Sequence, residues 1–168
     1  MPSQQKEQAV TITTEGISLS AFLGTPRNGR GIVLFAHGSG SGRLSPRNRF
    51  VAHHLQQGGI ATLLIDLLMT DEEEDRRNVF DIDLLADRVL MASAWLRGNG
   101  STKHFPLGYF GASTGAGAAL QAAARANFPV AAIVSRGGRP DLAERFLPQV
   151  TAPTLLLVGG EDQPVIEM

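Results

Sequence analysis

Apolar residues along this chain gather into short, nearly unbroken runs. Gly31–Ala36 (GIVLFA), Ile60–Ile65 (IATLLI), Leu107–Phe110 (LGYF), Val130–Val134 (VAAIV) and Thr154–Val158 (TLLLV) contain almost no polar interruption. Strands buried on both faces look like this, and they occur in parallel sheets covered by helices. Ahead of them, residues 9–13 and 17–23 are rich in Val, Ile, Thr and Leu and are parted by Glu15 and Gly16, which predicts an antiparallel hairpin.

Helical signals fill the gaps. Ser45 can cap a helix that has Pro46 in its first turn, where a missing N–H is harmless, and Gly58 with Gly59 supplies the stop. A second helix is predicted from near Asn78 to Leu96, with Ile82, Leu85, Val89, Ala92 and Leu96 on one face. A third follows in the alanine-rich stretch from about Gly115 to Ala126. Strand and helix alternate from residue 31 onward, so the expected architecture is one α/β domain over residues 1–168: a mostly parallel, doubly wound sheet preceded by the hairpin. The acidic run Asp71–Asp75 lies between a strand and a helix. It reads as a solvated loop that favours the positive end of the next helix, or alternatively as a substrate-facing rim.

Composition narrows the function. With 43% apolar and 18% charged residues and 19 glycines, the chain has the makeup of a folded protein rich in tight turns. A formal net charge of -1 gives no global reason to bind nucleic acid or an anionic membrane. There is no cysteine, which removes disulfides, cysteine zinc sites and thiol nucleophiles. The opening MPSQQKEQAVTITTEG lacks the apolar core of a secretory leader, and no apolar run approaches the roughly 18–20 residues that span a bilayer. A cytoplasmic protein without metal or cofactor is the resulting expectation; homo-oligomerisation stays open.

The strongest chemical signal is Gly111-Ala112-Ser113-Thr114-Gly115, which directly follows the strand LGYF and opens the alanine-rich helix. A serine nucleophile on a strand-to-helix turn needs small neighbours on both sides, because the backbone is strained and the helix packs close to the strand. The helix also points its N-terminus at the site, so the Thr114 N–H can stabilise an oxyanion. A dinucleotide turn built on Gly111, Gly115 and Gly117 is the weaker reading, since Tyr109, the only tyrosine, precedes no lysine in a Tyr-x-x-x-Lys pair. A phosphate loop fails because the only lysines are Lys6 and Lys103. The remaining alternative is a packing turn with an idle serine.

Two further loops follow predicted strands. His37-Gly38-Ser39-Gly40-Ser41-Gly42 ends GIVLFA, at the carboxyl end of a strand where open α/β sheets bind ligands. Gly159-Gly160-Glu161-Asp162-Gln163-Pro164-Val165 ends TLLLV. In this order, and with the stretch HGSGSGRLSPRN, the chain over about residues 9–168 resembles α/β-hydrolases related to dienelactone hydrolase. The resemblance implies Ser113 as nucleophile, where dienelactone hydrolase itself has cysteine. It implies N–H groups of Ser39 and Thr114 as the oxyanion hole, His37 as a brace of that loop rather than the base, and Asp162, ahead of Glu161, as the acid that orients a histidine.

That histidine is expected beyond the acid, followed by a last helix, whereas His37, His53, His54 and His104 all precede Ser113. The chain therefore reads as an α/β-hydrolase fold lacking its last strand and helix, either a fragment or a shortened, idle relative. Arg43, Arg47 and Arg49, and Arg136 with Arg139, are candidates to bind a substrate anion, Arg136 foremost. The leading expectation is hydrolysis of a small ester or lactone through an acyl-serine; the alternative is a non-catalytic binding or scaffold protein on the same fold.

Overall fold

In the computed structural model, which describes residues 6–167, the hairpin strands are β1 (Lys6–Thr14) and β2 (Ile17–Thr25). Five more follow: β3 (Gly31–Ala36), β4 (Ile60–Ile65), β5 (Leu107–Ala112), β6 (Ile133–Arg136) and β7 (Thr154–Leu157). They form one sheet in the order β1-β2-β4-β3-β5-β6-β7, antiparallel from β1 to β4 and parallel across the rest. Thr14 pairs with Ile17, which leaves Glu15 and Gly16 as a two-residue turn at φ 44° and 85°. Two positive φ values give the turn whose twist matches its flanking strands. The first five residues of the opening stretch read above as no leader lie outside the described residues. Among those described, no helix is long and apolar enough to cross a membrane.

The helices are α1 (Pro46–Gln57), α2 (Thr70–Glu73), α3 (Arg76–Val79), α4 (Ile82–Gly98), α5 (Thr114–Arg125) and α6 (Gln163–Ile166), with a 3-10 helix over Pro140–Gln149. Alternate residues of each central strand serve opposite faces. Ile32, Leu34 and Ala36 of β3 join the core that holds Leu85, Val89, Ala92 and Leu96 of α4, and Ala118 and Ala122 of α5. Phe35 of β3 turns the other way and packs with Leu64, Phe110 and Ala52 of α1. The Phe35 and Phe110 rings sit 4.9 Å apart.

Tyr109 of β5 is buried, its hydroxyl 2.8 Å from Ser93 Oγ on α4. Burial pushes the phenol pKa up to about 12, against the hydrogen bond to Ser93. The unfolded chain loses this proton near pH 10 and the folded chain only near 12, so stability present below pH 10 declines as pH rises to 12. Urea unfolding from pH 9 to 12 is expected to show a loss of about 2 kcal/mol that Tyr109→Phe lacks.

Four expectations need correction. β6 starts at Ile133, not Val130. Ala131 and Ala132 ahead of it are exposed, whereas the strand itself carries the polar Ser135 and Arg136 that an apolar-run criterion passes over. The long helix α4 starts at Ile82 rather than Asn78, with Asp81 as its cap accepting from the Leu84 N–H at 2.9 Å. The acidic run before it is not simply loop. It folds into α2 and α3, where the Asp75 carboxylate accepts from the Arg77 N–H and Glu72 pairs with the buried Arg88. Finally β7, read as buried on both faces, is exposed at all four residues, because among the described residues no helix packs over either of its faces and it pairs with β6 alone at the sheet edge.

Candidate active site

β3 has β4 on one side and β5 on the other, so connections leaving the carboxyl ends of β3 and β5 part to opposite directions and open a crevice. Ala36 pairs with Gly111, which brings the loop His37–Gly42 out beside Ser113. Ser113 is the cap of α5, at φ 51° and ψ −126°. A non-glycine residue there is strained, and the surroundings must hold it. Its carbonyl does so by accepting from the N–H groups of Ala116 at 3.0 Å and Arg139 at 3.2 Å.

The glycines mark where three elements touch. A Cβ on Gly111 would lie 2.4 Å from Ala116 Cα, one on Gly115 2.2 Å from the Ala36 oxygen, and one on Gly38 2.9 Å from Ser113 Cβ. Strand, helix and the His37–Gly42 loop thus meet backbone to backbone around the serine. Thr114, first residue of α5, has an N–H without an intrahelical acceptor, at the positive end of the helix. Neither it nor the Ser39 N–H is taken up by a carbonyl turn or cap among the described residues.

His37 is buried behind this loop with both ring nitrogens engaged. Nε2 accepts from the Leu67 N–H at 3.0 Å, so the proton is on Nδ1, which donates to the Gly38 carbonyl at 2.9 Å. The ring ties the loop to the end of β4 and has no free nitrogen for Ser113. His53 and His54 lie exposed on α1, beside Gln57 and the Phe50 carbonyl, and exposed His104 precedes β5 at its amino end.

A cleft of about 540 Å³ opens over Ser113, lined also by Ser39, Ser45, Arg47, Asn48 and Arg136. Arg136, at the end of β6, spans the cleft wall: its guanidinium lies 3.4 Å from the Asn48 oxygen and 5.7 Å from the Phe110 ring centroid. Apart from Arg47, the other candidate arginines are paired elsewhere. Arg43 pairs with Asp66, Arg49 with Glu7 at 3.0 Å, and Arg139 with Asp141 at 2.6 Å, which holds the Asp141 carboxyl below its usual range. Arg47 and Asn48 lie together at the start of α1; the capping pattern located that helix end, but nothing in the sequence marked Asn48 as a buried partner for Arg136.

Asp162 is half-buried on the loop after β7, and Glu161 beside it is exposed. Gly137, at φ 49°, links this loop to the cleft. Its N–H donates to the Leu157 carbonyl at 2.7 Å, and a Cβ on it would lie 3.7 Å from Asp162 Oδ2. Asp162 therefore lies beside Gly137, which lines the cleft together with Ser113. Among the described residues no cluster of His, Asp or Glu could hold a metal ion.

No protein-family model matches the chain. The solved dienelactone hydrolase from Anabaena variabilis is 58% identical, with a TM-score of 0.94 over 98% of this chain and 78% of that one. Est1E from Butyrivibrio proteoclasticus (17% identity, TM-score 0.75, 90% of this chain and 77% of that one) and the Pyrococcus furiosus esterase Pf2001 (19%, 0.71, 97% and 76%) share the fold. Two Mycobacterium tuberculosis proteins, from strains CDC 1551 and H37Rv, are 54% identical over 163 residues and carry the provisional name of phosphoribosyl transferase. The chain spans 97% of itself but only 37% of the length of these curated relatives. With the G-x-S-x-G turn at Ser113, the His37–Gly42 loop and the Asp162 loop in fold order, and 58% identity across most of a solved member, the chain belongs to the dienelactone hydrolase-related family of α/β-hydrolases.

Proposed function

We propose that this chain carries the nucleophile, oxyanion hole and acid of a serine hydrolase acting on a small ester or lactone. In this reading Ser113 Oγ attacks the carbonyl carbon and its proton passes to a base. The N–H groups of Ser39 and Thr114 receive the oxyanion, and collapse expels the alcohol to leave an acyl-serine that water then cleaves. Asp162 orients the base. The observation that carries the reading is the strained Ser113 backbone set against the Gly38–Ser39 loop at a helix N-terminus. The base is not among the histidines of these residues, since His37 is committed and the other three lie on α1 or at the far end of β5. The names of the Anabaena, Butyrivibrio and Pyrococcus proteins support the substrate class. The transferase name describes proteins of which this chain spans 37%, and that activity is not assigned to these residues.

Arg47 and Arg136 give the cleft a positive lining, which suits a substrate with a carboxylate on one arm. Phenylboronic acid and 4-carboxyphenylboronic acid test both points. Boron-11 NMR is expected to show tetrahedral boron with the native chain and only trigonal boron with Ser113→Ala. The carboxylated compound is expected to bind roughly tenfold tighter, an advantage lost in Arg136→Ala. Boron that stays trigonal, or stays tetrahedral in Ser113→Ala, would favour the non-catalytic binding protein instead.

A further inference from the structure

Asn48, the third residue of α1, is only 3% exposed, yet it lines the cleft over Ser113. Its backbone N–H is taken by the helix cap, donating to Ser45 Oγ at 3.4 Å. The side chain has one partner among the described residues, the Arg136 guanidinium, which lies 3.4 Å from Oδ1. A guanidinium only donates, so the amide must turn its oxygen to Arg136 and its nitrogen away. Nδ2 then donates to nothing among the described residues, and it is not sealed from outside as the unpartnered Nε of Arg88 is. A donor on a buried side chain is costly to leave without an acceptor, and the open space that Asn48 borders is the cleft.

Arg136 has charge to spare as well. Among the described residues no carboxylate pairs with it, and no acidic side chain lines the cleft. Oδ1 and Nδ2 share one carbon, so Nδ2 lies within about 6 Å of the Arg136 nitrogen, a span that one carboxylate bridges by accepting at about 3 Å on each oxygen. We infer that Asn48 Nδ2 and the Arg136 guanidinium take the two oxygens of one substrate carboxylate, and that Asn48 makes the cleft choose a carboxylate over a carboxamide. The assignment rests on the cleft over Ser113 as the substrate site, and gives the carboxylate arm proposed there a second anchor. Ser39, Ser41 and Ser45 also line the cleft, but they are exposed or half-buried, and a hydroxyl that turns between donating and accepting serves either group. The amide nitrogen and the guanidinium cannot turn in this way. A carboxamide would set its own NH2 against one of them and leave a donor unpaired, and sites of that kind reject the wrong group strongly.

Benzoate and benzamide test this without any bond to Ser113, so a failure here is distinct from a failure of the serine reading. Each is titrated into the full 168-residue chain while the Asn48 side-chain amide is followed by NMR. Benzoate is expected to bind at least roughly tenfold more tightly than benzamide and to move the Nδ2 protons downfield. Asn48→Asp keeps the side chain's size and its acceptor toward Arg136 but replaces the donor with a second acceptor. It is expected to weaken benzoate by more than about tenfold and to tighten benzamide several-fold, which inverts the preference. Added negative charge alone would weaken benzoate but would not tighten the uncharged amide. Benzoate that does not bind, Nδ2 protons that stay in place at saturation, equal affinities in the native chain, or an Asn48→Asp chain that gains nothing for benzamide would overturn the assignment. The Nδ2 readout needs no variant and decides the question even where Asn48→Asp fails to fold.

Discussion

Gly115→Ala is expected to lower the unfolding free energy by about 3 kcal/mol or more, the top of the usual range for an overpacked site. The added methyl would sit 2.2 Å from the Ala36 oxygen and 2.3 Å from the His37 oxygen. Both are backbone atoms at the end of β3, so neither can rotate aside; α5 must lift from the sheet or the His37–Gly42 loop must move. Gly98→Ala is the control, since a Cβ at that helical position meets nothing within 4 Å. It is expected to be neutral or to stabilise by up to about 1 kcal/mol. Urea denaturation of the two variants decides the matter, and a loss below about 1 kcal/mol in Gly115→Ala would show that the helix and loop are not packed as described.

Toward p-nitrophenyl acetate, the 168-residue chain is expected to reach no more than roughly 10³–10⁴ times the rate of water, the residue of catalysis that oxyanion donors and binding supply without a complete triad. Ser113→Ala is then expected to change the rate by less than about threefold, because a nucleophile that keeps its proton contributes little to lose. The contrast with a triad enzyme, where the same substitution removes most of the activity, makes the experiment decisive. A rapid rate that collapses in Ser113→Ala would require one of the four histidines to act as base. His37→Asn would then be the next variant, since His37 lies nearest and would have to give up the Leu67 N–H to do so.

The parts of this site legible in the sequence are those fixed by steric need. Gly111 and Gly115 flank Ser113 because no side chain fits there, and that need leaves a readable pattern next to a strand. The α4 face is equally plain, since Ile82, Leu85, Val89, Ala92 and Leu96 at helical spacing are among the residues it buries. What escaped was set by neighbours distant in sequence. Asn48 is buried because Arg136, 88 residues on, lies against it. The charge run at 71–75 hides a carboxylate, Glu72, whose partner Arg88 sits on the next long helix. The Arg43–Arg49 cluster looked uniform, yet tertiary contact sends Arg43 to Asp66 and Arg49 to Glu7 and leaves Arg47 in the cleft. β6 was misplaced by three residues because its carboxyl half is polar, and strands that end in a ligand site depart from the pattern of the core.

The exposed strand β7 sets up a gradient of local stability across the machinery. Ser113 and the His37–Gly42 loop hang from β5 and β3, which are paired on both edges and covered on both faces, so they open only when most of the sheet does. Asp162 hangs from β7, paired on one edge and exposed along its length. A strand of that kind frays at far lower free energy than the centre, and the carboxylate frays with it. Within these residues, Ser113 is therefore held far more firmly than Asp162, the acid proposed to work beside it, and the precision of that carboxylate depends on whatever holds β7 in register.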